Sequence, residues 1–268
     1  MLGLGNSLTS LNSLETEINH SLSFDGSNDF VDFTTAAFQT RLAFNNANFR
    51  TSGSVSIWVR LNTTSTNAQI WDFAIDTDNR IQLQYKHTGN EYNFTFKGDG
   101  TGKTAVQRPG VSHENDNTFH HIVCTWDKGD DNEMKIYVDG SLGATTGLAT
   151  VALVGDFGGT PDSTVGPDGT GGVEILSGTS FNGSADLNGF LDDFVLYSDV
   201  LTVEEVSQLY NSGVSDPTIY KEYDNMIAHW KFNEGTGGTV TDTRGLYVGT
   251  LGTGANAPTF STNNAAQE

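Results

Sequence analysis

The sequence predicts an all-β protein, an antiparallel two-sheet β-sandwich with one short helix near the C-terminal end. Three observations carry this. Gly is abundant (31) and Pro scarce (5) among 268 residues, and Thr, Asn, Ser and Asp crowd the segments between apolar runs, as expected of many polar turns. Residues 81–86 and 92–97 alternate apolar and polar side chains with period two around Gly89-Asn90. Asp139-Gly140 is a two-residue hairpin signal between two further strand patterns.

Taken along the chain, residues 1–20 read as an N-terminal arm. Leu4, Leu8, Leu11, Leu14 and Ile18 recur at steps of three and four, a helical stripe too small to bury itself and weakened by Gly3 and Gly5. It either packs on the main domain or docks a partner or sister subunit. Residues 21–213 alternate strands and turns and form the sandwich. Residues 156–172 are rich in Gly, Pro, Asp and Thr and predict a long surface loop. In the strand around residues 188–197, Phe190, Asp192, Phe194 and Leu196 fall on one face, and Leu191, Asp193, Val195 and Tyr197 on the other. Both faces are largely apolar, so the strand is expected to be buried on both sides except at its two carboxylates. A helix over 202–211 follows. Thr202 and Glu205 form a capping box, Val203, Val206, Leu209 and Tyr210 share one side, and Gly213 supplies the stop. Residues 214–225 read as a connector. Residues 226–268 hold more strand patterns, which either complete the chain's own sandwich or are exchanged with a neighbour, and the first needs no partner.

Lys+Arg 13 against Asp+Glu 33 gives a formal charge of −20. Such a chain repels nucleic acid and anionic membrane surfaces and favours divalent cations. No stretch has the roughly 18 apolar residues needed to enter a bilayer. The single cysteine, Cys124, alternates with Ile122 and Trp126 and reads as a small buried apolar side chain. The first residues carry no basic-then-apolar pattern, so no export signal is expected there.

The order of motifs resembles the concanavalin A-like lectin/glucanase fold in its laminin G-like, jelly-roll form. Five segments carry the resemblance: 21–32 as opening strand and turn, 54–59 as a Trp-bearing strand, 119–127 as a Trp-His-His-Val strand with Phe119 in the Trp place, 135–140 as a Tyr-Val-Asp-Gly hairpin, and 188–210 as closing strand and helix. The segment around Trp230 resembles the strand that normally precedes the opening one, here moved to the end. The motifs identify the fold and leave function open, because the fold hosts many activities.

Catalytic patterns are missing. Glycanases of this fold use a Glu-x-Asp-x-x-Glu strand that places two carboxylates about 5 Å apart, and no such spacing occurs. A Gly-x-Ser-x-Gly elbow and a His-Glu-x-x-His helix are absent too, so no enzyme is expected. His120 and His121 are adjacent on a strand, point to opposite faces, and cannot share one metal. By resemblance, a structural Ca²⁺ would use Asp192 together with Asp25 or Glu234, the bland alternative being that Asp192 accepts backbone N–H bonds. Ser54, Ser56, Trp58 and Arg60 share one face of their strand and Tyr137 lies on another. Trp58, Arg60 and Tyr137 are therefore the candidate glycan-binding residues, although packing is the favoured reading for Trp58.

The function expected is a non-enzymatic virion surface protein of a tailed bacteriophage, a head decoration or fibre adhesin with a lectin-like body and glycans as ligands. The opening Leu-Gly-Leu-Gly-Asn-Ser-Leu resembles the starts of marine-phage structural proteins. Its partners would be other virion proteins or sister subunits reached through the arm, in an oligomer. The alternative is a carbohydrate-binding or adhesion module of a secreted bacterial protein, placed outside the cell.

Overall fold

The structure, a computed structural model, describes residues 19–35, 37–38, 49–62, 67–155, 174–180, 185–211 and 225–265. Most of the arm, the 156–172 loop and nearly all of the connector lie outside them.

Two antiparallel sheets face each other in a jelly-roll sandwich. The first contains β1 (Ser21–Asp25), β3 (Ser52–Leu61), β8 (His120–Asp127), β9 (Glu133–Val138), β10 (Ser141–Gly147), β12 (Asn188–Tyr197), β13 (Met226–Trp230) and β16 (Thr259–Ser261). Its order is β10-β9-β8-β3-β12-β1-β16, with β13 also paired to β12 beyond the end of β1. The second contains β2 (Val31–Asp32), β4 (Ala68–Asp76), β5 (Asn79–Lys86), β6 (Glu91–Gly98), β7 (Thr101–Gln107), β11 (Glu174–Ser177), β14 (Thr239–Thr241) and β15 (Val248–Leu251), in the order β14-β15-β2-β11-β4-β5-β6-β7.

The alternating strands behave as their period requires. In β6, Tyr92, Phe94 and Phe96 are buried while Asn93, Thr95 and Lys97 are only half-buried. Asn90, left-handed at φ 48°, turns the chain from β5 into β6. Asp139 and Gly140, at φ 50° and 73°, make the turn from β9 to β10, both in the positive-φ region that a two-residue hairpin of this hand demands. Between the sheets, Trp71, Trp126 and Trp230 join Phe73, Phe94 and Phe194 in one core, and Cys124 is buried among them. The four C-terminal strands pair within the chain: β13 with β12, β15 with β2, β14 with β15, and β16 with β1.

Strand β12 departs from simple alternation. Asp192 pairs with Trp58 and Val195 with Ser56, so Asp193 and Phe194 of β12 together oppose the single Ile57 of β3. This one-residue bulge, with Asp193 left-handed at φ 43°, shifts the phase. Phe194 and Leu196 therefore join Leu191 in the central core, while Val195 and Tyr197 face outward. The expected grouping of Phe190 and Asp192 with Phe194 and Leu196 is corrected accordingly.

Helix α1 (Val203–Tyr210) lies on the outer face of the first sheet. Its capping box is formed: Thr202 N–H donates to Glu205 Oε2 at 2.6 Å and Glu205 N–H to Thr202 Oγ1 at 3.3 Å. Asn211, left-handed at φ 42°, caps the other end, whereas the expected stop, Gly213, lies outside the described residues. Val206 and Leu209 pack with Val123, Tyr137, Val195, Tyr197, Leu201 and Met226 in a second, smaller apolar cluster. Burying each such aliphatic side chain stabilises by about 1.5–3 kcal/mol. Val203, expected on this face, is exposed, because Leu201 just before the helix already fills the cluster there.

Candidate functional site

The outer face of the first sheet divides into a covered and an open part. Under α1, Trp58 stacks on His121 (centroids 4.8 Å apart, planes 30°) and on Tyr210 of the helix (6.0 Å, 21°). His121 Nε2 bonds Ser56 Oγ at 2.7 Å. Burial holds the His121 imidazole down to about 3, so it is neutral. Trp58 and Tyr137 are each 2% exposed. Neither ring is open to a sugar, and the expectation of glycan contacts at these two residues is corrected: the helix covers both.

Arg60, two residues beyond Trp58, escapes the helix. Its guanidinium lies 4.1 Å from the Phe190 ring centroid and 5.7 Å from that of Phe119. The two phenyl rings meet edge-to-face at 6.4 Å. All three side chains are half-buried. Gly189 makes the platform possible: a Cβ there would lie 2.3 Å from the Arg60 carbonyl oxygen, so only glycine lets β12 approach β3 this closely. At the next outward position Asn62 Nδ2 donates to Asn188 Oδ1 at 3.0 Å. The result is a cationic, aromatic patch bordered by amides on a strongly acidic molecule. Phe190 and Phe119 were not singled out from sequence, and only the cross-strand pairing of Phe190 with Arg60 brings them into view.

The patch adjoins a polar cluster at the mouth of the sandwich. His120, whose alternation partners Ile122 and Cys124 point into the core, lies between two carboxylates: Nδ1 is 2.8 Å from Asp139 Oδ2 and Nε2 is 2.8 Å from Asp116 Oδ2. Burial lowers its pKa, but the two carboxylates outweigh this and raise it. Burial likewise pushes the Asp139 carboxyl up, but bonds from His120 and from the His121 N–H (3.0 Å to Oδ1) hold it below the usual range. His113 stacks flat on His120, centroids 3.4 Å apart and planes 6°, and its Nδ1 lies 3.2 Å from Tyr92 Oη. Burial and the neighbouring His120 lower His113 to about 4. Ligand atoms of His113, His120 and Asp139 lie within 4.8 Å of one another, the group of this kind found among the described residues. Sequence reasoning missed it because its members come from three separate segments.

The residues named for calcium do not form such a group. Asp192 is 3% exposed, and its two oxygens accept the N–H groups of Asp193 (2.9 Å) and Ala265 (2.8 Å). Burial and the neighbouring Asp193 raise its pKa well above the usual carboxylate value. Asp25 is exposed at the far end of β1, opposite Asn188, and its Oδ1 accepts from Ser27 N–H. Four strand positions separate Asn188 from Asp192, on the order of 13 Å. Glu234 is exposed and accepts from Thr241 N–H at 2.8 Å.

Comparison with known proteins agrees with this architecture. Residues 25–207 match a laminin G-type family profile described as the concanavalin A-like lectin/glucanases superfamily. Among solved structures, a Bacteroides ovatus protein, named as a candidate carbohydrate binding protein, superposes with TM-score 0.57 at 15% identity over 91% of this chain and 60% of that one. The chain thus spans about 60% of that protein's length. A heptameric SAP-like pentraxin from Limulus polyphemus (TM-score 0.46, 14% identity, 72% of this chain and 82% of that one) and domains LG4-5 of the mouse laminin α1 chain (0.47, 13%, 68% and 44%) are also similar. At these identities the likeness concerns the fold alone. No curated protein matches the chain, and no helix of the described residues is long and apolar enough to cross a membrane. With two thirds of its residues in one family match and a two-sheet antiparallel jelly roll to accompany it, the chain belongs to the concanavalin A-like lectin/glucanases superfamily.

Proposed function

We propose that this chain is a non-enzymatic carbohydrate-binding domain whose glycan lies on the Arg60–Phe119–Phe190 platform. The observation that carries the reading is the guanidinium held 4.1 Å from the Phe190 ring on an open part of the sheet. A sugar ring offers an apolar C–H face to an aromatic side chain and hydroxyls to a fork of N–H donors. Asn62 and Asn188 border the patch with further amide groups. The name given to the Bacteroides ovatus structure supports this ligand class. The non-enzymatic reading is supported by the carboxylates at this end: Asp116 and Asp139 are both engaged by His120. The place of action is a surface, that of a tailed-phage virion in which the domain is a decoration or fibre adhesin. The charge of −20 and the leucine-striped arm favour that setting over a module of a secreted bacterial protein.

A glycan array followed by calorimetry on the best hits tests the ligand class. Binding by the wild type and its loss in Arg60→Ala sustain the reading, while an array without hits at high avidity sinks it. Mass spectrometry of purified particles tests the setting, since absence of the chain from virions removes the virion role.

A further inference from the structure

We propose that His113, His120 and Asp139 bind a divalent transition-metal ion of the zinc class at the mouth of the sandwich. This site is separate from the sugar platform and stands without it. Two imidazoles and one carboxylate are the donor set that zinc and its neighbours prefer, whereas calcium and magnesium take oxygen ligands. Three protein ligands leave one coordination position for water.

The supporting interactions of a metal site are already in place. Metal-binding imidazoles ordinarily engage a carboxylate, carbonyl or water through their second nitrogen. Asp116 Oδ2 lies 2.8 Å from His120 Nε2, leaving Nδ1 directed at Asp139. Tyr92 Oη engages His113 Nδ1 at 3.2 Å, leaving Nε2 for the ion. The backbone N–H of His121 holds Asp139 Oδ1 at 3.0 Å, leaving Oδ2 for it. Each of the three ligands thus has a partner on the side away from the shared centre. Asp116, which acts on His120 together with Asp139, and Glu114, which acts with them on Tyr92, add negative charge around the centre, and this favours a cation there.

Loading requires a small rearrangement. Tetrahedral zinc with ligand bonds of about 2.0–2.2 Å brings its donor atoms to within about 3.5 Å of one another, closer than the present limit of 4.8 Å. Parallel stacked rings direct their in-plane lone pairs side by side, so His113 must tilt out of its stack on His120. His113 lies between β7 and β8 and not within either strand, which is where such a tilt is least resisted. The ion takes the place of the proton between His120 and Asp139.

The test uses the full chain stripped with a chelator. Calorimetric titration with Zn²⁺, and the visible absorption of Co²⁺ as a readout of tetrahedral nitrogen–oxygen coordination, should each show one equivalent bound. At about 100 times the dissociation constant, Zn²⁺ should raise the melting temperature by roughly 5 °C. Ca²⁺ and Mg²⁺ should not. His113→Gln and Asp139→Asn should each weaken binding by about tenfold or more, while His20→Gln, at the opposite part of the chain's sheet, should leave it unchanged. Because Asp139→Asn alters a hairpin turn, the Co²⁺ spectrum of the wild type is the deciding measurement. No Co²⁺ absorption and no stoichiometric Zn²⁺ heat in the wild type overturns the proposal. So does binding that survives His113→Gln undiminished, and the cluster is then an ion triad of Asp116, His120 and Asp139 alone.

Discussion

Asp192 Oδ2 accepts the backbone N–H of Ala265 at 2.8 Å, which ties a buried carboxylate of the central strand β12 to the last described residue of the chain. The other oxygen is occupied by the N–H of Asp193. Removing residues 265–268 takes away this donor and the cover it provides. Leaving a buried acceptor unsatisfied costs about 1–3 kcal/mol, so the truncated chain should unfold at lower urea by that amount. A midpoint unchanged from the wild type would show that Ala265 contributes nothing to Asp192.

The same carboxyl sets a pH dependence. Burial, and then the adjacent Asp193, raise its pKa in the folded protein above the ordinary 3.8. The folded state therefore binds this proton more tightly than the unfolded state. The resulting stability is fully present below about 3.8 and is lost as the pH rises through the raised value. Asp192→Asn removes this dependence. The stability advantage of the wild type over the variant should be greatest in acid and shrink towards neutral pH, measured by urea melts across the range. A gap that widens with rising pH would contradict the assignment.

Tyr210 closes the Trp58–His121 stack from the helix. Tyr210→Ala should cost about 1–3 kcal/mol, from lost apolar area and the aromatic pair together. It should also increase the Trp58 fluorescence response to a soluble quencher. Trp58→Ala, which leaves a cavity beneath the helix, should cost about 3–5 kcal/mol. If instead glycan affinity fell with stability unchanged, Trp58 would be a contact residue and not a packing one.

At the platform the expected pattern is the reverse. Phe190→Ala should weaken sugar binding about tenfold and shift the melting temperature little, because the ring is only half-buried. Equal loss of binding in a distant surface variant such as Leu246→Ala would show that the platform is not the site.

The capping box is a local test. Thr202→Ala removes the hydroxyl that accepts from Glu205 and should cost about 1 kcal/mol. Glu205→Gln keeps the reach back to Thr202 and should cost less.

What could be read from sequence was whatever depends on near neighbours. The alternation of β6, the Asp139-Gly140 turn and the Thr202–Glu205 box each lie within a few residues and appear in the structure as read. The phase break in β12 was not legible, since Asp192 and Asp193 form a bulge only against Trp58 and Ser56 of another strand. Arg60 was legible as an outward residue and packing was the favoured reading for Trp58, but the cover itself was not legible, because Tyr210 comes from about 150 residues further along. The opposite orientation of His120 and His121 followed from strand geometry. The partners of His120 did not, because Asp116 and Asp139 reach it from a loop and a hairpin turn on either side of β8.

The pairing of β1 with β16 has a kinetic side. Ser21 lies opposite Ser261, so the first and last strands of the sandwich zip together across nearly the whole sequence. Contacts of such separation are slow to form, because a long loop must close before they contribute any stability. The first sheet cannot complete its edge until Phe260 has been synthesised. Until then the edge of β1 stands open, a template on which another chain can pair.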